Sequence, residues 1–339
     1  MKKTTVILII LVFVTLFCVG LYVYARATLN QFHETGVEAA NIDDGISDMH
    51  EAGSDNAMGS GVRNEKGYSG VGKKDDRDKA ENDPYVKMIK DSKRVNILCI
   101  GLAKYSLADT LIVASLDPES NSLDIISIPR DTYFYRPGFE SAAEKKINAT
   151  FYGNSLAERA QSSLNSVRDL LRIPVHHFVK IEYKGVEEII DAIGGVEVDI
   201  PFDMDYDDPT DDLHIHFKKG KRLLNGEDAV KYLRFRQNND NSHSDGDIGR
   251  IGRQQKLIKT AMEKSLGLQI MKIVDIAKEY IKTNMTAEDM MSYAMEVSKI
   301  KMENVKMYIL PGEPKYIDGM SYYIHNGQDT RNMIMEIYQ

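Results

Sequence analysis

The stretch LIVASLDPESNSLDIISIPRD, from Leu111 to Asp131, specifies the architecture of this 339-residue chain. Two apolar segments, LIVASLD and LDIISIP, flank the turn segment DPESNS. Short runs rich in isoleucine and valine that are joined by turn residues predict an antiparallel hairpin of buried strands. Pro129 cannot donate a ladder hydrogen bond, so we expect Arg130 and Asp131 to project from the end of the second strand.

Segments on both sides of this hairpin alternate between strand and helix patterns. Four more runs have the length and composition of strands: VNILCIG (95–101), HHFVKIEY (176–183), VEVDIP (196–201) and NVKMYILP (304–311). Ser155 is the predicted cap of a helix that runs to Arg172. Asn225 is the predicted cap of a short helix, and Asp247 begins a longer one. Strands mixed with helices predict an α/β fold, a single mixed-sheet α/β/α sandwich domain over residues 93–339.

The N-terminus carries an apolar run that predicts a transmembrane helix. Residues 6–25 are uncharged and mostly apolar, and roughly 20 such residues span a bilayer as a helix. Lys2 and Lys3 before the run favour a cytoplasmic N-terminus of residues 1–5. A cleaved signal peptide is the alternative, because the triplet Ala25-Arg26-Ala27 imitates a cleavage site.

Residues 26–92 are polar, of mixed charge and poor in branched aliphatic side chains. Such a segment cannot bury enough apolar surface to offset the entropy lost on ordering, so we predict a flexible extracellular linker. The expected location is therefore the cell membrane, in a single-pass protein whose C-terminal domain is extracellular.

The overall charge limits the possible partners. The formal net charge of −8 and the isoelectric point of about 5.6 argue against broad nucleic-acid binding, which requires a basic face. The two cysteines, Cys18 and Cys99, lie in separate apolar segments, so the chain has no disulfide framework and no zinc-binding spacing of cysteines. We expect no nucleic-acid partner.

A second stretch, RFRQNNDNSHSDGDIGRIGRQQ from Arg234 to Gln255, holds four arginines and no lysine. A guanidinium group can grip an oxyanion through two parallel hydrogen bonds, which a lysine cannot do. If the first residues are extended, Arg234 and Arg236 share one face while Phe235 points to the core. The alternative is a pair of solvated surface arginines.

The helix predicted from Asp247 strengthens the case for an anion site. Arg250 and Gln254 are four residues apart and lie on one face of this helix. Arg253 lies beside that face and is expected to form a salt bridge elsewhere. A pocket walled by Arg234, Arg236 and Arg250 suits a diphosphate better than a single carboxylate.

Acidic residues near these arginines leave several interpretations open. Asp109 opens a strand beside the predicted site, where it would be a natural ligand for Mg²⁺, or it caps a turn. Arg130 and Asp131 either belong to a site at the strand end or form an ion pair at the sheet edge. The acidic run DMDYDDPTDD (203–212) lacks the spacing of a calcium-binding loop and predicts an exposed acidic loop.

These segments, in this order, resemble the LytR–CpsA–Psr family of bacterial cell-envelope proteins. The likeness covers roughly Arg94 to Leu266. The matching segments are VNILCIG, ADTLIVASLDP, LDIISIPRDTY, KINATFYG, the block from Phe178 to Pro209, LNGEDAVKYLRFR and GDIGRIGRQQ. The resemblance implies a mixed central sheet between helices, with an apolar channel for a polyprenyl chain to which residues 181–200 contribute.

The same resemblance implies an enzyme of cell-wall biogenesis. Such a transferase moves a glycopolymer, such as teichoic acid or capsule, from an undecaprenyl-diphosphate carrier to peptidoglycan by phosphoryl transfer. The implied partners are the lipid-linked glycopolymer, peptidoglycan and the membrane, which the N-terminal helix contacts. Two alternatives stay open: a non-catalytic or weakly active binder of polyprenyl (di)phosphates, and a polyprenyl-diphosphate pyrophosphatase.

The positions of this sequence that match the family's motifs imply a set of site residues. The catalytic residues would be Arg130, Asp131, Arg234 and Arg236. The diphosphate would be bound by Arg130, Lys146, Arg234, Arg236, Arg250 and Gln254. Asp109 would hold Mg²⁺, with Mn²⁺ as the alternative ion. Apart from the resemblance, the phosphoryl-transfer reaction itself suggests that Asp131 or Asp247 could orient the acceptor hydroxyl, and neither is assigned as the base. Ala103 stands where the family carries a second metal-binding aspartate, and Tyr105 where it carries an arginine, which predicts a weakened affinity for the metal.

Overall fold

The structure is a computed structural model that describes residues 83–102, 107–264 and 279–339. The predicted membrane helix at residues 6–25 and the predicted linker up to residue 82 lie outside the described residues, and so does Ala103. Within the described ranges, no helix combines the length and the apolar character needed to cross a bilayer.

The described part of the chain folds into alternating strands and helices. The strands are β1 (Val95–Leu102), β2 (Ala108–Asp117), β3 (Ser122–Ile128), β4 (His177–Glu182), β5 (Val196–Ile200), β6 (Met204–Asp208), β7 (Leu213–Phe217), β8 (Gly220–Leu224), β9 (Ile281–Thr283), β10 (Val305–Ile309), β11 (Gly312–Ile317) and β12 (Met320–His325). The helices are α1 (Pro84–Asp91), α2 (Leu156–Leu171), α3 (Tyr183–Ala192), α4 (Gly226–Arg234), α5 (Gly246–Lys264), α6 (Ala287–Ser298) and α7 (Gly327–Tyr338), with 3₁₀ turns at Ile147–Thr150 and Met302–Asn304.

The predicted hairpin lies at the centre of a six-stranded sheet with the strand order β10-β3-β2-β1-β4-β9. β2 pairs antiparallel with β3, where Leu116 lies opposite Leu123 near the turn, and antiparallel with β1 on its other side. β10 runs parallel to β3 and β4 runs parallel to β1, while β9 forms an antiparallel edge beside β4. The sheet is therefore mixed, and the predicted mixed-sheet α/β domain is confirmed.

Helices cover both faces of this sheet. Ile112 and Ala114 point to one face, where they pack with residues of α3, α4, α5 and α6. Leu111 and Val113 point to the opposite face and pack with residues of α1, α2 and α7. Alternate residues of a strand point to opposite faces, so a strand between two helical layers needs a near-continuous apolar run such as LIVASL.

The first helix, α1, lies inside the segment that composition predicts to be a linker over residues 26–92. Asp83 caps this helix by accepting a hydrogen bond from the amide of Tyr85 at 2.8 Å. Tyr85 and Ile89 are buried against the sheet face that α2 and α7 also cover. The predicted start of the domain at residue 93 is therefore too late. The composition of residues 26–92 is polar as a whole, and it does not reveal two apolar side chains at helical spacing.

Side-chain caps begin α2 and α4 as predicted. Ser155 Oγ accepts a hydrogen bond from the amide of Glu158 at 3.1 Å, and Asn225 Oδ1 accepts one from the amide of Asp228 at 2.8 Å. α5 begins at Gly246, one residue before the predicted Asp247. These caps fix the starting point of each helix and so the position of every polar side chain along it.

The acidic run at residues 203–212 is not the exposed loop that its charge predicts. Its first part forms β6, which pairs antiparallel with β7 so that Met204 lies opposite Phe217. Met204, Ile215 and Phe217 are buried, whereas residues that alternate with them are exposed. The loop prediction is wrong for β6. The segment LHIHF of β7 alternates between buried and exposed residues, and β6 pairs along the edge of this strand.

Truncation of a core leucine tests the buried position of β1. Leu98 is 0% exposed, so Leu98→Ala should leave a cavity and lower the free energy of unfolding by about 2–5 kcal/mol. Leu223→Ala is the matched control, because Leu223 is 61% exposed and its truncation should cost less than about 0.5 kcal/mol. Urea unfolding followed by circular dichroism measures both values, and equal losses would contradict this core.

Candidate functional site

A pocket of about 330 Å³ opens where β2 begins and β3 ends. The two strands are antiparallel, and Leu111 pairs with Ile128, so these two ends are neighbours in the sheet. Residues that are far apart in the chain line the pocket: Asp109, Arg130, Tyr206, Asp208, Asp211, Leu213, Arg234, Arg236, Gln237 and Arg250. The structure thus brings five of the predicted site residues together, namely Asp109, Arg130, Arg234, Arg236 and Arg250.

One carboxylate, that of Asp109, lies among three of these arginines. Its Oδ1 forms an ion pair with Arg130 Nη1 and lies 3.6 Å from Arg250 Nη1 and 3.9 Å from Arg236 Nη2. Its Oδ2 accepts a hydrogen bond of 2.6 Å from the hydroxyl of Tyr183. Arg250 Nη2 also donates to the backbone oxygen of Asp109 at 3.0 Å, which ties helix α5 to strand β2.

The surrounding cations control the ionisation of Asp109. Burial by itself raises the pKa of this carboxyl, but the charges of Arg130 and Arg250 and the hydrogen bond from Tyr183 outweigh it and lower the pKa to about 2. Burial and the neighbouring carboxylate raise the pKa of the Tyr183 hydroxyl, which therefore stays protonated and donates. Asp109 is thus a permanent negative charge at neutral pH.

Arg236 is the guanidinium with the fewest contacts to protein. Among the described residues its side chain donates no hydrogen bond, and its ion contact is the distant one to Asp109. Burial, followed by repulsion from Arg250 and Arg130, lowers the pKa of Arg236 to about 10. Its donors are therefore charged and available to an anion that enters the pocket.

Arg234, the last residue of α4, also lines the pocket. It forms an ion pair with Asp211, and its guanidinium carbon lies 5.1 Å from the centre of the Tyr183 ring. Because Arg234 is helical, the segment from Arg234 to Arg236 is not the extended one that would place both arginines on one face. Both side chains still reach the pocket, because the chain leaves the helix at Phe235, which is fully buried as predicted.

Three other predicted residues contact protein groups beside the pocket and do not line it. Lys146 Nζ donates a hydrogen bond of 2.9 Å to Asp131 Oδ1, and Asp131 Oδ2 lies 4.0 Å from Arg130 Nε. Gln254 Nε2 donates to the hydroxyl of Thr110 at 3.1 Å. In this structure the three side chains support their neighbours, and their predicted roles as direct ligand contacts stay predictions.

Asp247 occupies the first turn of α5, next to Arg250 and Arg130. Its Oδ1 lies 2.6 Å from Arg250 Nη2 and 3.9 Å from Arg130 Nε. Both carboxylate oxygens are buried, yet neither accepts a hydrogen bond from a described residue. A buried acceptor that lacks a donor costs stability, so Asp247 is a candidate for contact with a ligand.

Arg253 points away from the pocket, as its position on α5 predicts. It forms an ion pair with Asp245 and donates a hydrogen bond to the backbone oxygen of Phe235. Its guanidinium carbon also lies 5.1 Å from the centre of the Phe235 ring. Arg253 therefore holds the segment between α4 and α5 in place.

Several residues in the pocket lining or in contact with it escape recognition from the sequence. Asp208 and Asp211 belong to the acidic run, and their position on the pocket wall depends on the β6–β7 hairpin. Tyr183 carries no signal beyond its place at the end of a predicted strand, although it contacts both Asp109 and Arg234. The isoleucine- and valine-rich residues 181–200, which the resemblance assigns to a lipid channel, contribute largely to the core.

Comparison with known proteins gives consistent matches. Residues 63–338 match the LytR_cpsA_psr family. The polyisoprenyl-teichoic acid–peptidoglycan teichoic acid transferase TagV of Bacillus subtilis is 29% identical over 242 residues, which are 68% of this chain and 60% of TagV. The transferase TagU of Enterococcus faecalis, which carries the same description, is 31% identical over 246 residues, or 70% of this chain and 74% of TagU.

The fold is similar to the solved structure of one of these relatives. The crystal structure of Bacillus subtilis TagV matches with a TM-score of 0.58 and 27% identity, and the match covers 72% of this chain and 97% of that chain. In sequence, the chain spans 60% of the length of TagV.

The pH dependence of stability tests the environment of Asp109. Its pKa is lower in the folded protein than in the unfolded chain, so its stabilising contribution is present above about pH 4 and is lost as the pH falls toward 2. As the pH falls from about 4 to about 2, the free energy of unfolding of the wild type should therefore decrease. For Asp109→Asn this decrease should be smaller by on the order of 2 kcal/mol. Urea titrations at a series of pH values measure this difference.

Asp318→Asn is the control for that experiment, because this aspartate lies in an exposed turn and no ion pair holds it in the described structure. Its stability should follow the pH dependence of the wild type. If Asp109→Asn did the same, the arginines would not lower the pKa of Asp109.

Proposed function

We propose that this chain, which belongs to the LytR_cpsA_psr family, transfers a glycopolymer from a polyprenyl-diphosphate carrier to peptidoglycan. The observation that carries the proposal is the convergence of four guanidinium groups on one pocket. Guanidinium groups bind phosphate oxygens through paired hydrogen bonds, so a diphosphate is the ligand class that this pocket suits. The relatives TagV and TagU are named as polyisoprenyl-teichoic acid–peptidoglycan teichoic acid transferases, which supports the same chemistry.

The reaction we infer is phosphoryl transfer. A sugar hydroxyl of the acceptor attacks the phosphorus linked to the polymer, and a new phosphorus–oxygen bond forms. The bond from this phosphorus to the bridging oxygen breaks, and prenyl phosphate leaves with the electron pair. Arg130, Arg236 and Arg250 would neutralise the charge that develops on the phosphoryl oxygens.

The acceptor hydroxyl must lose its proton during this attack. Of the two aspartates considered for this role, Asp131 is engaged by Lys146. Asp247 Oδ1 is also paired, 2.6 Å from Arg250 Nη2, but its buried Oδ2 accepts no hydrogen bond from the described residues. The carboxylate of Asp247 also lies beside two arginines of the pocket, Arg130 and Arg250. We therefore assign orientation of the hydroxyl and acceptance of its proton to Asp247.

The charges of the pocket support a divalent cation beside the diphosphate. Four arginines and the three aspartates Asp109, Asp208 and Asp211 leave one positive charge in the lining. A diphosphate that joins a lipid to a sugar carries two negative charges, so the filled pocket would be negative without a cation. Mg²⁺ binds through one or two carboxylates plus phosphate oxygens, and the donors present fit it, with Asp109 as the ligand and Mn²⁺ as the alternative ion. When bound, the ion supplies neutralisation of charge on the phosphate oxygens.

We further propose that the protein is held in the cell membrane by a single pass at residues 6–25, with its domain outside the cell. The length of the apolar run and the two lysines before it support this orientation. A lipid-linked donor stays in the bilayer, so attachment to the same membrane keeps the site near its substrate.

Removal of Arg236 tests the arginine pocket directly. Its side chain donates no hydrogen bond to the described residues, so its loss should disturb the fold little. We expect Arg236→Ala to lower kcat/KM for a lipid-linked donor by about 100-fold or more, because a donor to the transition-state oxygens is lost. Arg222→Ala is the matched control, since Arg222 is a half-exposed arginine on β8 outside the pocket, and it should leave kcat/KM unchanged.

The products of the same assay separate the possible functions. Attachment of polymer to the glycan acceptor supports the transferase, whereas release of free phosphorylated polymer would identify a pyrophosphatase. Binding of the donor without turnover, with either Mg²⁺ or Mn²⁺, would identify a binder. Unchanged turnover by Arg236→Ala would remove this arginine from the mechanism.

Two matched aspartate variants test the assignment of the proton acceptor. Asp247→Asn should lower kcat by about 100-fold with a smaller change in KM, because the charge lost acts on the reacting hydroxyl. Asp131→Asn should lower kcat by less than about 10-fold, because Asp131 binds Lys146 outside the pocket lining and lies 4.0 Å from only one pocket arginine, Arg130. The reverse order in steady-state kinetics would assign the proton to Asp131.

A further inference from the structure

A cluster of two histidines and two aspartates lies on the outer face of the β6–β7 hairpin, outside the arginine pocket. In the register of the hairpin, Asp207 pairs with His214 and Asp205 pairs with His216. Because alternate residues of a strand share a face, all four side chains lie on the exposed side of the hairpin. Carboxylates and imidazoles directly opposite one another are within contact distance across two strands.

Three of these side chains bring donor atoms close enough together to share one metal ion. Asp207 Oδ1 contacts His214 Nδ1 and lies 3.4 Å from His216 Nε2. The ligand atoms of the three residues all lie within 4.8 Å of one another. Two ligands of a tetrahedral Zn²⁺ ion, each about 2.0–2.1 Å from the metal, are about 3.3 Å apart.

A second carboxylate orients one of the imidazoles. Asp205 Oδ1 lies 2.6 Å from His216 Nδ1. If Nδ1 carries the proton and donates to Asp205, Nε2 is left with its lone pair directed toward Asp207. This is the carboxylate–histidine–metal arrangement in which an outer carboxylate fixes the tautomer of a histidine ligand.

The two rings together place four nitrogens against carboxylate oxygens. Each ring faces carboxylate oxygens with both nitrogens: His216 faces Asp205 and Asp207, and His214 faces Asp207 and, at 3.8 Å, Asp212. A neutral imidazole donates from one nitrogen only, so its other lone pair would point at a carboxylate lone pair. A metal ion between these atoms, or a second proton on the ring, removes that repulsion, and the zinc titration below separates the two.

We propose that Asp207, His214 and His216 bind a divalent transition-metal ion such as Zn²⁺, with Asp205 as the positioning residue of His216. Imidazole nitrogen favours such ions over Mg²⁺ or Ca²⁺, which prefer oxygen ligands. The ion joins β6 to β7. Tyr206, Asp208 and Leu213 of the same two strands line the arginine pocket, so the metal braces one wall of that pocket.

Zinc binding by the full-length protein in detergent tests the proposal. Titration against a chromophoric zinc chelator should show that the double variant His214→Gln, His216→Gln has lost one Zn²⁺ site that the wild type has. Asp205→Asn should weaken this site by about 10-fold or more, as expected for a residue that orients a ligand. His243→Gln is the matched control, because this half-buried histidine also lies near an aspartate, 3.9 Å from Asp245, and it should bind Zn²⁺ as the wild type does.

Two further measurements make the result specific. Cobalt substitution should give the visible absorption of a tetrahedral site in the wild type and in Asp109→Asn, but not in the double histidine variant. Zn²⁺ should raise the melting temperature of the wild type and leave that of the double variant unchanged. Equal zinc stoichiometry in the wild type and the double variant, or absence of zinc binding by the wild type, would overturn the proposal.

Discussion

A cluster of arginines can form only where carboxylates offset the repulsion between its members. Two unit charges 4 Å apart interact by about 4 kcal/mol at an effective dielectric constant of 20, so Arg130, Arg236 and Arg250 could not share one pocket unpaired. Asp109 lies within 4 Å of all three guanidinium groups, and they in turn keep it ionised. The rest of the site is arranged around this one carboxylate.

The central hairpin supplies the geometry for that interaction. Asp109 lies near the start of β2 and Arg130 just after the end of β3, and antiparallel pairing makes these two positions neighbours. Arg250 of α5 donates a hydrogen bond to the backbone oxygen of Asp109. This contact within the site fixes the position of the helix relative to strand β2. The element that organises the sheet therefore also organises the pocket, and a change in its register would separate the charges.

A second hairpin, β6–β7, also contributes to the wall of the pocket. Asp211, in the turn of this hairpin, forms an ion pair with Arg234. An anionic ligand that binds Arg234 must compete with this carboxylate, so the position of the hairpin affects how strongly the pocket holds a diphosphate. A metal ion that joins the two strands on their outer face would limit the movement of this wall, which gives the proposed metal site a consequence for ligand binding.

The sequence alone was sufficient to predict the hairpin of β2 and β3, the helix caps at Ser155 and Asn225 and the anion-binding character of the arginine-rich stretch. Each of these signals acts within a few residues of the chain. The sequence was not sufficient for α1, whose two buried side chains lie in an otherwise polar segment. Nor could it show that Asp211 pairs with Arg234, or that Lys146 pairs with Asp131 beside the pocket. The charge of a side chain can be read from its identity, but its partner depends on which strands and helices pack together, since an ion pair forms only between groups that the fold brings within a few ångströms.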